Sequence, residues 1–144
     1  MAVLLVRHAK AGDRDKWEPP DDLRPLTAKG EAQAEALVAA LAGFDVTRVL
    51  SSPYLRCSQT VAPLASARGV AVEPCDDLVE GEGRAGLGLV RSLLAGGSYV
   101  VLCTHGDVVE EVLDGLGVRR EEDTRKGATW VLDDAGSRYL PPPD

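Results

Sequence analysis

Several residue classes are scarce in this 144-residue chain, and each shortage removes a class of protein. Aromatics make up only 4% of it, so a core has to be assembled from Val, Leu and Ala. The cysteines, Cys57, Cys75 and Cys103, are odd in number and show no C-x-x-C spacing. That argues against a disulfide framework or a zinc site and for reduced, mostly buried thiols. Apolar runs are short: SYVVLC at 98–103 is among the longest and falls far below the roughly 20 residues of a membrane-spanning helix. No basic residue precedes the apolar run in MAVLLVRHAK, so no signal peptide is expected and the cytoplasm is the expected location.

Positive charge is also in deficit. Sixteen Lys and Arg against 23 Asp and Glu leave a net charge of −7, which argues against nucleic-acid polymers and anionic membranes as partners. A small phosphorylated partner stays open, because Arg outnumbers Lys twelve to four and a guanidinium binds phosphate through two parallel N–H groups. No cofactor and no metal ion are implied. Histidine is the scarcest of the chemically versatile residues, with His8 and His105 alone.

What is present is a globular composition, 44% hydrophobic and 27% charged, of a length that suits one domain without a covalent staple. One domain over residues 1–140 is expected, with a frayed PPPD tail at 141–144. Ala2–Val6 is apolar without alternation, as in a strand buried on both faces. Residues 11–26 are charged, Pro-containing and aperiodic, and a loop of that length is commonly functional. Thr27 caps a helix to about Ala42 with a stripe of Ala28, Ala32, Leu37 and Leu41. Val46–Ser51 reads as a second strand. Ser51-Ser52-Pro53 opens a helix to Arg68, with Pro in its first turn and Gly69 as its stop. A short strand at 70–73, an acidic Gly-rich loop at 74–86 and a helix from Leu87 to Ala95 follow. Tyr99–Cys103 is the strongest strand, Gly106 opens the next helix, and ATWVLDDAGSRYL reads as a hairpin turning at Asp-Ala-Gly.

Alternating strands and helices predict an α/β three-layer sandwich, a mostly parallel central sheet flanked by helices. Ligands of such sheets bind outside the carboxyl ends of the strands. Three strands end in polar chemistry there: Arg7-His8, Ser51-Ser52-Pro53 and Thr104-His105-Gly106. A neutral imidazole is a nucleophile toward phosphorus, so His8 is the candidate nucleophile. Arg7 and Arg56 are the candidate charge-neutralising donors, Arg24 in the long loop can close over the same anion, and His105 adds a donor when protonated. Other phosphate chemistries lack their signatures. There is no P-loop motif, and six residues beyond the cysteines stand Pro63, Gly81 and Val109 rather than Arg. Asp13-x-Asp15 lies in a loop and not at a strand end.

The blocks VRHAKAG, LRPLTAKGEAQA, LSSPYLRCSQTV and VLCTHGDVV, in this order from residue 3 to about 113, resemble the histidine phosphatase, or phosphoglycerate mutase-like, superfamily. The Arg24-Pro25-Leu26-Thr27 block is most similar to its small SixA-like phosphohistidine phosphatase branch. The third and last blocks, through Ser-Pro-x-x-Arg-Cys-x-Gln-Thr and CTHGDVV, are also similar to the histidine-phosphatase domain that follows a Nudix domain in some bacterial nucleotide hydrolases. The resemblance implies a metal-independent phosphatase acting on a phosphorylated small molecule or a phosphohistidine protein, with a covalent phosphohistidine on His8. It also implies a phosphate pocket of Arg7, Arg56 and His105, with Arg24 as the extra arginine of the small branch. Ala9 stands where many members have Gly. Glu80 lies where larger members carry the general acid, with Asp77 and Glu82 as alternatives. Two other functions fit the same residues: a phospho-ligand or protein-binding module with little turnover, and a phosphoglycerate mutase, disfavoured by the short loops.

Overall fold

A computed structural model describes residues 2–143. In chain order the elements are β1 (Ala2–Arg7), α1 (Ala28–Ala40), β2 (Val46–Ser51), α2 (Leu55–Arg68), β3 (Val72–Pro74), α3 (Gly83–Leu94), β4 (Tyr99–Thr104), α4 (Gly106–Gly115), β5 (Thr129–Asp133) and β6 (Gly136–Leu140). The strands form one sheet in the order β3-β2-β4-β1-β5-β6. The first four are mutually parallel, and β5 and β6 are added antiparallel as a hairpin. The expected α/β sandwich is therefore present, and its layers follow from side-chain alternation along each strand. Leu4, Val6, Val101 and Cys103 face α1 and α2, packing on Leu37, Val61 and Leu64. Val3, Leu5, Val100 and Leu102 face α3 and α4, packing on Val90, Val109 and Val112. Both Trp130 and Tyr139 join that second cluster, with Trp130 7% exposed and its indole N–H donating to Thr124 Oγ1 at 2.8 Å.

Thr27 caps α1 as expected, its Oγ1 accepting from Gly30 N–H at 3.1 Å. The buried stripe is rotated from the one predicted. Ala28 and Ala32 are exposed, and Gly30, Gln33, Ala34 and Leu37 face inward. The polar Gln33 was passed over as a core residue, but its Oε1 accepts from Lys10 N–H at 3.0 Å, which satisfies it. The second helix starts later than predicted. Ser52 continues the β2 line by donating its N–H to the Cys103 carbonyl at 2.9 Å, and Tyr54, not Pro53, is the capping residue.

The third helix starts earlier than predicted, at Gly83 rather than Leu87. Its glycines are signals of contact, not of a loop: a Cβ at Gly86 would stand 2.8 Å from Val108 Cγ1 of α4. The long loop 11–26 is not featureless either, since it holds two short 3-10 turns at Arg14–Lys16 and Asp21–Leu23 and is closed at its base by an Ala11–Leu26 bridge. In the tail, Pro142 is buried, and Asp144 lies outside the described residues.

The connections out of β1 and β4 leave on opposite faces, through α1 and α4. These two strands are neighbours, in the register Arg7↔Thr104. A crevice must open where adjacent parallel strands send their helices apart, and it opens at the tips of β1 and β4.

Two glycine replacements test this packing. A Cβ at Gly30 would overlap the Lys10 carbonyl, a backbone atom with nowhere to go, so Gly30→Ala should lower unfolding stability by about 1–3 kcal/mol. Gly88, in α3 with open space around its Cα, should gain about 0.5–1 kcal/mol as alanine. Urea denaturation of both variants reads the difference in sign.

Candidate active site

The register of β1 against β4 sets His8 and His105 side by side, with ring centroids 5.7 Å apart. The His8 backbone is held by its N–H to the Thr104 carbonyl at 3.0 Å and by Gly127 N–H to the Arg7 and His8 carbonyls at 3.1 Å. Ala9, 0% exposed, donates its N–H to Thr60 Oγ1, and Thr60 donates in turn to the Arg56 carbonyl. The imidazole itself is nearly buried. Its Nδ1 lies 2.8 Å from the Ala9 carbonyl oxygen, which can only accept, so the proton is on Nδ1 and Nε2 keeps its lone pair. Burial lowers the His8 pKa to about 3. The Ala9 hydrogen bond works against the shift, and the charges of Arg56, His105 and Arg7 add to it.

Two guanidiniums flank the histidines. Arg7, at the end of β1, donates from Nη1 to the Thr124 carbonyl at 2.6 Å and lies across the start of α4. A Cβ at Gly106 would be 2.8 Å from its Cζ, so only glycine admits the side chain there. Arg56, the second residue of α2, is 0% exposed. It donates to the Asp21 carbonyl at 2.9 Å and to Asp21 Oδ2 at 3.1 Å, and its guanidinium carbon is 4.9 Å from the Tyr54 ring centroid. The Nε of Arg7 and the Nε of Arg56 are buried without a hydrogen-bond partner among the described residues. Two unpaired cationic N–H groups in one place is an arrangement that an anion would complete.

His105 is clamped. Arg56 Nη2 stands 3.5 Å from its Nδ1, and an arginine only donates, so in the neutral ring the proton sits on Nε2 and faces Ser52 Oγ at 2.8 Å. The Cys57 thiol is 3.6 Å from the same Nε2. Ser52 and Cys57 both lie in the block after β2, and their contacts with His105 were visible in sequence only as proximity to a strand end.

Arg7 and His8 line a cleft of about 930 Å³ together with Lys10, Arg14, Arg24 and Glu80, whereas Arg56 and His105, both buried, are not part of that lining. The extra arginine, Arg24, is there and already engaged: it donates to Asp21 Oδ1 at 2.9 Å and to the Gly12 carbonyl, and is 6% exposed. Asp21 went unmarked in the sequence, although it takes hydrogen bonds from both Arg24 and Arg56. Burial would raise its carboxyl pKa. The Arg24 hydrogen bond and the charges of Arg56, Arg24 and Arg14 outweigh that and hold it below the usual value.

Of the three acidic candidates, Glu80 lines the cleft; Asp77 and Glu82 are exposed outside that lining. Glu80 Oε1 accepts from Arg14 Nη2 at 3.0 Å and is 3.6 Å from Arg56 Nη2 and 3.9 Å from His105 Nδ1. The loop carrying it is anchored by Gly81 N–H to Asp107 Oδ2 at 2.8 Å and by Thr104 Oγ1 to the Leu78 carbonyl at 2.6 Å.

A sequence profile of the Histidine phosphatase superfamily (branch 1) matches residues 3–89. The chain is 36% identical to the 8-oxo-(d)GTP phosphatase of Mycolicibacterium smegmatis, in an alignment covering 99% of this chain and 48% of that protein. It therefore spans about half the length of that relative. Among solved structures, SixA from Agrobacterium tumefaciens superposes with a TM-score of 0.80 at 26% identity, over 98% of this chain and 97% of that one. The protein histidine phosphatase SixA complexed with tungstate shares the fold, with a TM-score of 0.79 at 23% identity over 97% and 94% of the two chains.

The His8 environment has a measurable consequence. Its native pKa of about 3 lies below the roughly 6.5 of an exposed imidazole, so between those values the unfolded chain holds a proton that the native chain does not. This contribution to stability is complete above about pH 6.5 and is lost as pH falls toward 3. The acid-side slope of unfolding free energy against pH should therefore be shallower in His8→Gln than in the natural chain. An NMR titration should show the His8 ring neutral throughout pH 5–8, and a midpoint near 6.5 would contradict this.

Proposed function

The chain belongs to the histidine phosphatase superfamily, in its small SixA-like branch with the phosphoglycerate mutase-like fold, and on that premise we propose that it is a phosphatase working without a metal ion through a phosphohistidine on His8. One observation carries the reading: His8, whose imidazole Nε2 is unprotonated, lines a cleft with the half-buried Arg7, and the buried Nε atoms of Arg7 and of the neighbouring Arg56 have no hydrogen-bond partner among the described residues.

In the first step the His8 Nε2 lone pair forms the N–P bond as the bond from phosphorus to the leaving oxygen breaks, that oxygen keeping the bonding pair. The ring becomes cationic, and the Nδ1–H bond to the Ala9 carbonyl stabilises it and fixes its aim. Arg7 and Arg56 face the charge on the phosphoryl oxygens, and His105 positions the Arg56 guanidinium through its Nδ1. In the second step a water oxygen attacks phosphorus, the N–P bond breaks, and the pair returns to Nε2 with release of inorganic phosphate. Arg24, itself in the cleft wall, donates to Asp21 and to the carbonyl of Gly12, and is the residue that shapes the substrate side.

Glu80 is the proton donor to the leaving oxygen in this scheme, yet its Oε1 is engaged by Arg14. That engagement favours substrates whose leaving group departs with little protonation, such as phosphohistidine or a phosphoanhydride. The name of the Mycolicibacterium relative adds nucleotides to the candidate substrates, alongside phosphohistidine proteins.

Hydrolysis of para-nitrophenyl phosphate in the presence of a chelator tests the proposal. Activity should survive chelation, His8→Ala should abolish at least about 10³-fold of it, and acid-labile phosphate should be trapped on the natural chain but not on the variant. Arg56→Ala should cost about 10²–10³-fold in kcat/KM, and Arg56→Lys, which keeps the buried charge, controls for folding. Undiminished turnover by His8→Ala would overturn the mechanism.

A further inference from the structure

The cleft, at about 930 Å³, is of the size that holds a whole small-molecule ligand rather than a lone phosphoryl group. Among its acidic walls, Glu80 is paired with Arg14 and Glu110 with Arg120, Asp107 accepts from Gly81 N–H and Asp13 from Asp15 N–H. Asp123, exposed, has no partner of this kind among the described residues. On the cationic side, Arg14 and Arg24 are in ion pairs and Arg7 donates to the Thr124 carbonyl, whereas the ammonium groups of Lys10 and Lys126 make no hydrogen bond or ion pair among the described residues.

These two lysines line the same cleft as His8 and are carried by well-anchored backbone next to it. Lys10 follows it by two residues, with its N–H held by Gln33 Oε1 at 3.0 Å and its carbonyl accepting from Thr27 N–H at 3.0 Å and Thr27 Oγ1 at 3.2 Å. Lys126 precedes Gly127, whose N–H bridges the Arg7 and His8 carbonyls. The positive potential at Lys126 is uncompensated: burial, then repulsion from Arg7, Arg24, Lys10 and Arg14, lowers its pKa.

We propose that Lys10 and Lys126 form a second anion subsite beside His8 that receives the inner phosphoryl group of a substrate carrying a diphosphate. This deepens the phosphatase reading and rests on it for the position of the terminal phosphoryl group. Two point charges in the cleft that His8 lines are suited to an anion one linkage away from the reacting phosphorus. A diphosphate also fits the engaged Glu80, because an inner phosphoryl group leaves as a stabilised anion and asks little of a proton donor. An acidic side chain next to a phosphoserine or phosphothreonine, whose alkoxide leaving group needs a proton, would satisfy the lysines but not that second condition.

Calorimetry with non-hydrolysable probes tests the subsite without turnover. The natural chain at low salt should bind methylenediphosphonate at least about tenfold more tightly than orthophosphate. The double variant Lys10→Ala/Lys126→Ala should lose most of that ratio while its orthophosphate affinity changes by less than about threefold. Both lysines are exposed, and circular dichroism checks that the variant is folded. A further arm with the α,β-methylene analogue of a nucleoside diphosphate separates sources: tighter binding than methylenediphosphonate assigns the diphosphate to a nucleoside, and equal binding assigns it to the bare group. A ratio near one in the natural chain, or a parallel loss of both ligands in the variant, would overturn the subsite. So would a lysine-dependent preference for acid-flanked phosphopeptides without one for the diphosphonate. Since no probe is cleaved, failure here leaves the His8 mechanism intact, and failure of the His8→Ala test leaves the binding ratio to stand.

Discussion

The constraint on which the site depends is the burial of the Arg56 charge. A guanidinium at 0% exposure must find counter-charge and acceptors inside the protein or the fold loses several kcal/mol. The long loop after β1 supplies them by turning at Asp21–Leu23 so that both the carbonyl and the carboxylate of Asp21 meet Arg56. The same carboxylate takes Arg24, and Arg14 reaches both Asp21 and Glu80, so three arginines and two acids from distant parts of the chain share one network. The network is incomplete at Arg56 Nε, and Arg7 Nε shares that lack. The acids thus satisfy enough of the positive charge to let it be buried.

Around this pair of cations the fold supplies rigidity through close approaches that only glycine permits. Gly106 lets the Arg7 guanidinium lie against the start of α4, and Gly30 lets α1 press on the Lys10 carbonyl just after the candidate nucleophile. The hydrogen-bonded chain from Ala9 N–H through Thr60 to the Arg56 carbonyl couples β1 directly to α2. Each side chain at the cleft is thus held by backbone that is itself held, which is the condition for a preorganised electrostatic site.

Much of this was legible in the residues. Unbroken apolar runs marked β1 and β4 because strands covered on both faces need no alternation, and two scarce histidines at strand ends pointed to one edge. What sequence patterning misread was local and had a tertiary cause. Gly83 and Gly86 looked like a loop because helices avoid glycine, yet they are required by the contact of α3 with α4. Gln33 looked like a surface residue, yet its partner is the Lys10 backbone. Asp21 carried no signal, because an acid in a charged loop is normally solvated and only the fold brings Arg56 to it.

By itself, then, the sequence determined the layered α/β architecture, the family, and the residue types at the carboxyl edge of the sheet. These follow from hydrophobic patterning and motif order, which are local. The tertiary structure alone decided which nitrogen of each histidine carries the proton, which acid enters the cleft, and which cations remain without a partner. Those properties depend on distances between residues far apart in the chain, from Asp21 and Arg56 to Glu80 and Lys126, and no spacing along a sequence encodes them.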